Sequence, residues 1–140
     1  AGALPIMLGD PRKLSPADLV KCRGFADWMQ RMDTRYHIMS YRQDLPGFGE
    51  PSEGRWDGFQ RINSGTRTGG ILGIFRHGSV ESRRMITVHD LDPVKTYQVK
   101  RMDGEIVTEQ TGDDLNNKGF EFELKKLYTG ELLEVSEKGK

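Results

Sequence analysis

Between residues 69 and 91 the chain reads GGILGIFRHGSVESRRMITVHDL, two apolar runs around a polar turn. Ile71, Leu72, Ile74 and Phe75 occupy both alternating sets of positions, which predicts a strand covered on both faces. Phe75 is expected to point into the core and Arg76 out of it. Residues 77–82 carry Gly and Ser and read as a tight turn. Met85, Ile86, Thr87, Val88 and His89 form a second, β-branched strand, expected to pair antiparallel with the first. It stops at Asp90-Leu91-Asp92-Pro93, because proline lacks the N–H of a central ladder.

The same period recurs on either side. Residues 56–63 and 95–102 are strand candidates, the latter with Tyr97 and Val99 on one face. Asp103-Gly104 predicts a hairpin turn into residues 105–109. Phe120-Glu121-Phe122-Glu123-Leu124 alternates cleanly, with its apolar residues toward a core and its glutamates toward water. Residues 131–136 close the series. About seven short strands, with turns every ~8–12 residues, predict a mainly β chain, an antiparallel β-sandwich of Greek-key type.

The N-terminal part has a different rhythm. An apolar run at residues 3–8 leads into Gly9-Asp10-Pro11-Arg12 and reads as a buried strand and its loop. Ser15 is placed to cap a helix, Pro16 fits its first position, and Asp18 complements the helix dipole. The helix is expected over residues 15–36, with Leu19, Cys22, Phe25, Ala26, Met29 and Met32 along an apolar stripe. Strand, loop and capped helix make half of a βαβ unit. Residues 41–55, rich in proline and glycine, read as a connector lying on a surface. The expected division is residues 1–40, a strand–helix unit; 41–55, a connector; and 56–140, the sandwich.

Composition narrows the function classes. The 140 residues suit one domain, or one small domain plus a fragment of another, and 21 basic side chains balance 21 acidic ones. That balance argues against nucleic acid as a partner, since phosphate tracking calls for a basic excess. No apolar run approaches the ~20 residues of a membrane-spanning helix, so no membrane partner is expected. There is no signal peptide in view, and a chain beginning at Ala1 is expected to be processed or excised from a longer one. A single cysteine, Cys22, forbids an internal disulfide and leaves bacterial cytoplasm and periplasm both open.

Candidate chemistry is sparse. His37, His77 and His89 are far apart and lack spaced partners, so no metal site is expected and no cofactor is implied. Cys22 reads as a small residue on the helix stripe, and Glu121 and Glu123 as a solvated strand face. The run 69–73 has glycines but leads into a strand, unlike a phosphate loop. Asp10 and Arg12, at the end of the first strand, are the weak candidates for substrate binding, set against an internal Asp–Arg pair. Tyr41, Arg42, Gln43, Asp44, Trp56 and Asp57 combine aromatic and hydrogen-bonding groups as sugar sites do, set against an interdomain packing surface. No catalytic residue is assigned.

The order of these features resembles a known family. The GDPR loop, the capped helix, YRQDLPGFGEP, the Trp-Asp-Gly strand, GGILGIFRHGS, HDLDPVKTYQVK, the G-D-D-L-x-x-K-G-F turn and the final EVSEK strand follow one another. Together they resemble the C-terminal region of α-galactosidase-like glycoside hydrolases of the melibiase group, similar to family 36. The resemblance implies that residues 1–40 are the last strand and helix of a catalytic (β/α)8 barrel and that a β-sandwich follows. It also implies that the family's catalytic carboxylates lie on earlier strands. A retaining glycosidase needs two carboxyl groups about 5–5.5 Å apart, which Asp10 alone does not supply.

Two functions follow as expectations. In the first, the chain is an accessory β-sandwich of a glycoside hydrolase, inert alone, whose partners are the rest of the barrel and, in the whole enzyme, a carbohydrate. In the second, it is an autonomous carbohydrate-binding module, marked by a row of exposed aromatics. The apolar helix face favours the first, and in the isolated piece that stripe is expected to dock on the sandwich or be shared in a homodimer.

Overall fold

The computed structural model describes residues 15–45, 48 and 53–139. A helix, α1 (Pro16–Tyr36), and a single 3-10 turn at Ile38–Ser40 precede the strands. These are β1 (Gln43–Asp44), β2 (Trp56–Ile62), β3 (Gly69–Arg76), β4 (Arg83–Ile86), β5 (Thr96–Arg101), β6 (Ile106–Thr111), β7 (Phe120–Glu123) and β8 (Thr129–Glu137). A short helix, α2 (Gly112–Asn117), sits between β6 and β7. The six-stranded sheet has the order β1-β2-β3-β8-β5-β6 and the two-stranded sheet pairs β4 with β7, every pairing antiparallel. Among the described residues no helix is long and apolar enough to cross a membrane.

The main core lies between the two sheets. Leu72, Ile74, Tyr97, Val99, Leu133 and Val135 meet Ile86, Phe120, Phe122 and Leu124 there. The pleat sends the odd residues of β3 the other way. Ile71 and Phe75 join Phe59, Leu132 and the helix residues Trp28, Met32 and Tyr36 in a second cluster. The strand expected to be covered on both faces is therefore covered by β-structure on one and α1 on the other. The alternations at Tyr97/Val99 and Phe120/Phe122/Leu124 run as expected, and Gly104 takes the positive φ of 94° that its turn requires.

Four expectations are corrected. Residues 71–75 and 85–89 do not form a hairpin. β3 pairs with β2 and β8, β4 pairs with β7 in the other sheet, and strand geometry ends at Ile86. Arg76 does not point out. It is buried, and its guanidinium donates to the carbonyls of Ser79 (3.0 and 2.8 Å), Leu124 (2.8 Å) and Lys125 (3.1 Å), while Phe75 is only half-buried. The connector does not merely lie on a surface: Gln43 and Asp44 pair with β2, and Leu45 enters the main core. The Gly112-Asp113-Asp114-Leu115 run is a capped helix and not a turn, with the Thr111 hydroxyl accepting from the Asp114 N–H at 3.1 Å. The strand–loop unit expected at residues 3–12, with Asp10 and Arg12, lies outside the described residues.

Candidate domain interface

Helix α1 begins as its sequence dictates. Ser15 caps it, its hydroxyl accepting from the Asp18 N–H at 3.1 Å. It ends where His37 takes a left-handed conformation and donates its N–H to the Asp33 carbonyl. The buried positions are Trp28, Met32 and Tyr36, spaced by four and thus on one side of the helix. Trp28 is the anchor that the Leu19–Met32 stripe omitted. These residues cover about 12 Å of helix at ~1.5 Å per residue. Residues 16–27, about 18 Å more, contain no buried residue. Leu19 and Val20 are 40% and 71% exposed, and Cys22 and Phe25 are half-buried.

Polar contacts lock the docked half in place. Glu134, on β8, is buried under the helix and accepts from the Tyr36 hydroxyl at 2.6 Å and from Arg35 Nη1 at 2.7 Å. Burial, and then the neighbouring Glu134 carboxylate, raise the Tyr36 hydroxyl well above the usual phenol value. The Asn63 side chain donates to the Tyr36 carbonyl at 2.9 Å and accepts from the N–H groups of Gly65 and Thr66 at 3.0 Å. Arg61 Nη1 donates to the carbonyls of Ile38 and Tyr41, which fixes the chain as it leaves the helix. One half of α1 is thus built into the sandwich, and the other carries apolar residues none of which is buried.

The residues singled out for chemistry do not converge. Trp56 is buried in the main core with its indole N–H donated to the Glu81 carbonyl at 2.9 Å, so its ring is not offered to a ligand. Gln43 uses its amide on the backbone of Ile62, and Asp44 is exposed on the edge strand. Asp57 is buried, accepts from the Gly58 N–H, and lies 3.9 Å from His77 Nε2. Glu121 and Glu123 pair with Arg83 on the solvated strand face, as expected. Among the described residues no group of three or more His, Cys, Asp or Glu is placed to hold a metal. Sequence reasoning missed Trp28, Glu134 and Arg76. The signal for Glu134 was its place in an otherwise apolar strand run, Leu132-Leu133-Glu134-Val135.

No protein-family model matches the chain, and no curated protein matches it by sequence. Solved structures do. The galactosidase domain of an α-galactosidase–sucrose kinase superposes over 91% of this chain with a TM-score of 0.70 and 13% identity. The fold is that of one portion of a GH36 α-galactosidase. GH36 α-galactosidase AgaB from Geobacillus stearothermophilus matches over 91% of the chain, with a TM-score of 0.66 and 16% identity. The α-galactosidase from Lactobacillus brevis matches over 94%, with a TM-score of 0.63 and 17% identity. The chain spans only 17%, 17% and 18% of those three chains. It therefore resembles a part of a larger enzyme, mainly β and antiparallel, as the sequence led one to expect.

Proposed function

We propose that this chain is the C-terminal accessory β-sandwich of an α-galactosidase-like glycoside hydrolase, with α1 carrying it on the catalytic barrel. The observation behind this reading is the division of α1. Its second half is fastened to the sandwich by Trp28, Met32 and the Tyr36–Glu134 bond, while its first half offers Leu19, Val20 and Phe25. A helix with two apolar sectors, one unfilled, belongs to two cores. The rest of the parent barrel is the partner proposed for the unfilled sector, and the carbohydrate is bound by the whole enzyme. The chain alone supplies no hydrolysis.

The module reading has less support. Tyr128 is the exposed aromatic among the large apolar residues, at 65%, and its hydroxyl is held by Glu53, so the described residues offer no row of aromatic platforms.

The test is a pair of charge insertions at the exposed positions, Leu19→Glu with Val20→Glu. In the isolated chain they leave thermal unfolding almost unchanged, because neither residue is buried. In the barrel-containing protein they lower both stability and galactoside hydrolysis. Equal effects in the two contexts, or none in the longer one, reject the docking role.

A further inference from the structure

A cleft of about 330 Å³ opens where three segments of the chain meet. Arg67 comes from the β2–β3 loop, His89 to Pro93 from the β4–β5 connection, and Asp113 and Asn116 from α2. The size is at the lower end of the range for small-molecule sites.

The frame of this cleft is rigid without any ligand. The Gln60 amide copies a strand partner: its Oε1 accepts from the His89 N–H at 3.0 Å and its Nε2 donates to the His89 carbonyl at 3.1 Å. The Arg67 carbonyl accepts from the Tyr97 hydroxyl at 2.6 Å, and that hydroxyl accepts from the Asp92 N–H at 3.0 Å. Helix α2 is held by Gly112 N–H to the Lys95 carbonyl and Asp113 N–H to the Pro93 carbonyl, at 2.9 and 3.1 Å. A Cβ at Gly112 would collide with the Asp92 carbonyl, so close packing requires glycine there. Arg67 and Asp90 both sit in the left-handed region, at φ 56° and 68°.

The polar groups on this frame are underused. His89 Nε2 is buried with no hydrogen-bond partner. Buried imidazole nitrogens are normally paired, so an orphan one calls for a ligand or a water. The Arg67 guanidinium has no ion pair or hydrogen bond among the described residues, and the Asp90 carboxylate has one long contact, 3.4 Å to Gln60. Leu91 and Pro93 add apolar surface. A backbone frame fixed in advance lowers the cost of binding.

We propose that this cleft binds a hexose unit, free or at the end of an oligosaccharide. One cation against two carboxylates disfavours a phosphate or other strong anion. A neutral polyol fits, because each hydroxyl both donates and accepts: it can donate to Asp90 and to the Asp113 carboxylate oxygen not taken by Asn117, and accept from Arg67. The site is independent of the docking role of α1.

The test is titration of the isotope-labelled chain with D-galactose, raffinose and inorganic phosphate, followed by amide NMR. Saturable shifts confined to residues 67, 89–91 and 113–116 are expected with one or both sugars, and not with phosphate. Asp90→Asn, which keeps a residue at home in the left-handed turn, and Arg67→Gln each weaken binding by about tenfold or more, as for a lost charge-assisted hydrogen bond. Their thermal unfolding is recorded to confirm that they fold. Tighter binding of raffinose than of galactose assigns a chain end; equal binding assigns the single sugar. Non-saturating shifts with both sugars, an equal response to phosphate, or folded variants that bind as tightly as the parent chain would overturn the proposal.

Discussion

The Tyr36 hydroxyl donates to the buried Glu134 carboxylate at 2.6 Å across 98 positions of sequence. This bond ties the end of α1 to the middle of the sheet, and Arg35 shares the same carboxylate oxygen. A hydrogen bond to a charged, buried acceptor is among the stronger ones a small domain makes. Tyr36→Phe is expected to cost about 1.5–3 kcal/mol in denaturant unfolding. A cost no larger than that of an exposed substitution would mean that the helix is not fastened here.

The same bond sets an alkaline limit. Burial and the Glu134 carboxylate raise the Tyr36 hydroxyl above its ordinary value of about 10. The native chain therefore holds a proton that the unfolded chain releases. This stability is complete below about pH 10 and is lost as pH rises through the folded-state value. Thermal unfolding of the wild type should fall across that range, and Tyr36→Phe should fall less steeply. Parallel curves would show that Tyr36 is not the group responsible. Tyr97, also raised by burial, contributes a background common to both proteins.

Arg76→Ala is expected to destabilise the chain at least as much as Phe75→Ala. The arginine satisfies three buried or part-buried carbonyls, those of Ser79, Leu124 and Lys125, and removing it leaves them unpaired. The loss is about 3 kcal/mol or more when such charged bonds vanish together. Phe75 is half-buried, so its truncation falls below the ~3–5 kcal/mol of a fully buried ring. Urea unfolding of the two variants decides the order. A tolerated Arg76→Ala would restore the outward orientation that the sequence alone favours.

Local signals carried much of this fold. The Ser15-Pro16-x-Asp18 start, the Asp103-Gly104 turn and the Phe120/Phe122/Leu124 alternation each depend on near neighbours, and each appears in the structure. Pairing does not depend on near neighbours. Two apolar strands separated by a Gly-Ser turn read as a hairpin, yet β3 takes β8 from more than fifty positions away, because only that register places Leu133 beside Leu72 in the core. Arg76 reads as outward for a related reason: two of its four bonds go to Leu124 and Lys125, which are remote in sequence. Helix α2 is six residues long, too short for an amphipathic period to show. The interface was half legible. The stripe named Leu19, Phe25, Met29 and Met32 but not Trp28, and nothing in the sequence said where along the helix the sandwich stops covering it.

Two glycines separate opposite effects. Gly24 lies within α1 with no atom within 4 Å of an added Cβ, so Gly24→Ala should stabilise the chain by about 0.4–1 kcal/mol. Gly73 faces the ring of Phe59, with which an added Cβ would collide, so Gly73→Ala should destabilise by about 1–3 kcal/mol. The pair reports on whether the outer face of the sheet is packed as tightly as described. Equal midpoints for the two variants would contradict that packing.

The docking role of α1 is tested most directly by amide hydrogen exchange, comparing the isolated chain with the longer barrel-containing protein. In the isolated chain, residues 28–36 should exchange slowly and residues 16–27 quickly, since burial begins at Trp28. In the longer protein, residues 16–27 should become as protected as the rest of the helix. Fast exchange of residues 16–27 in both proteins would contradict the account.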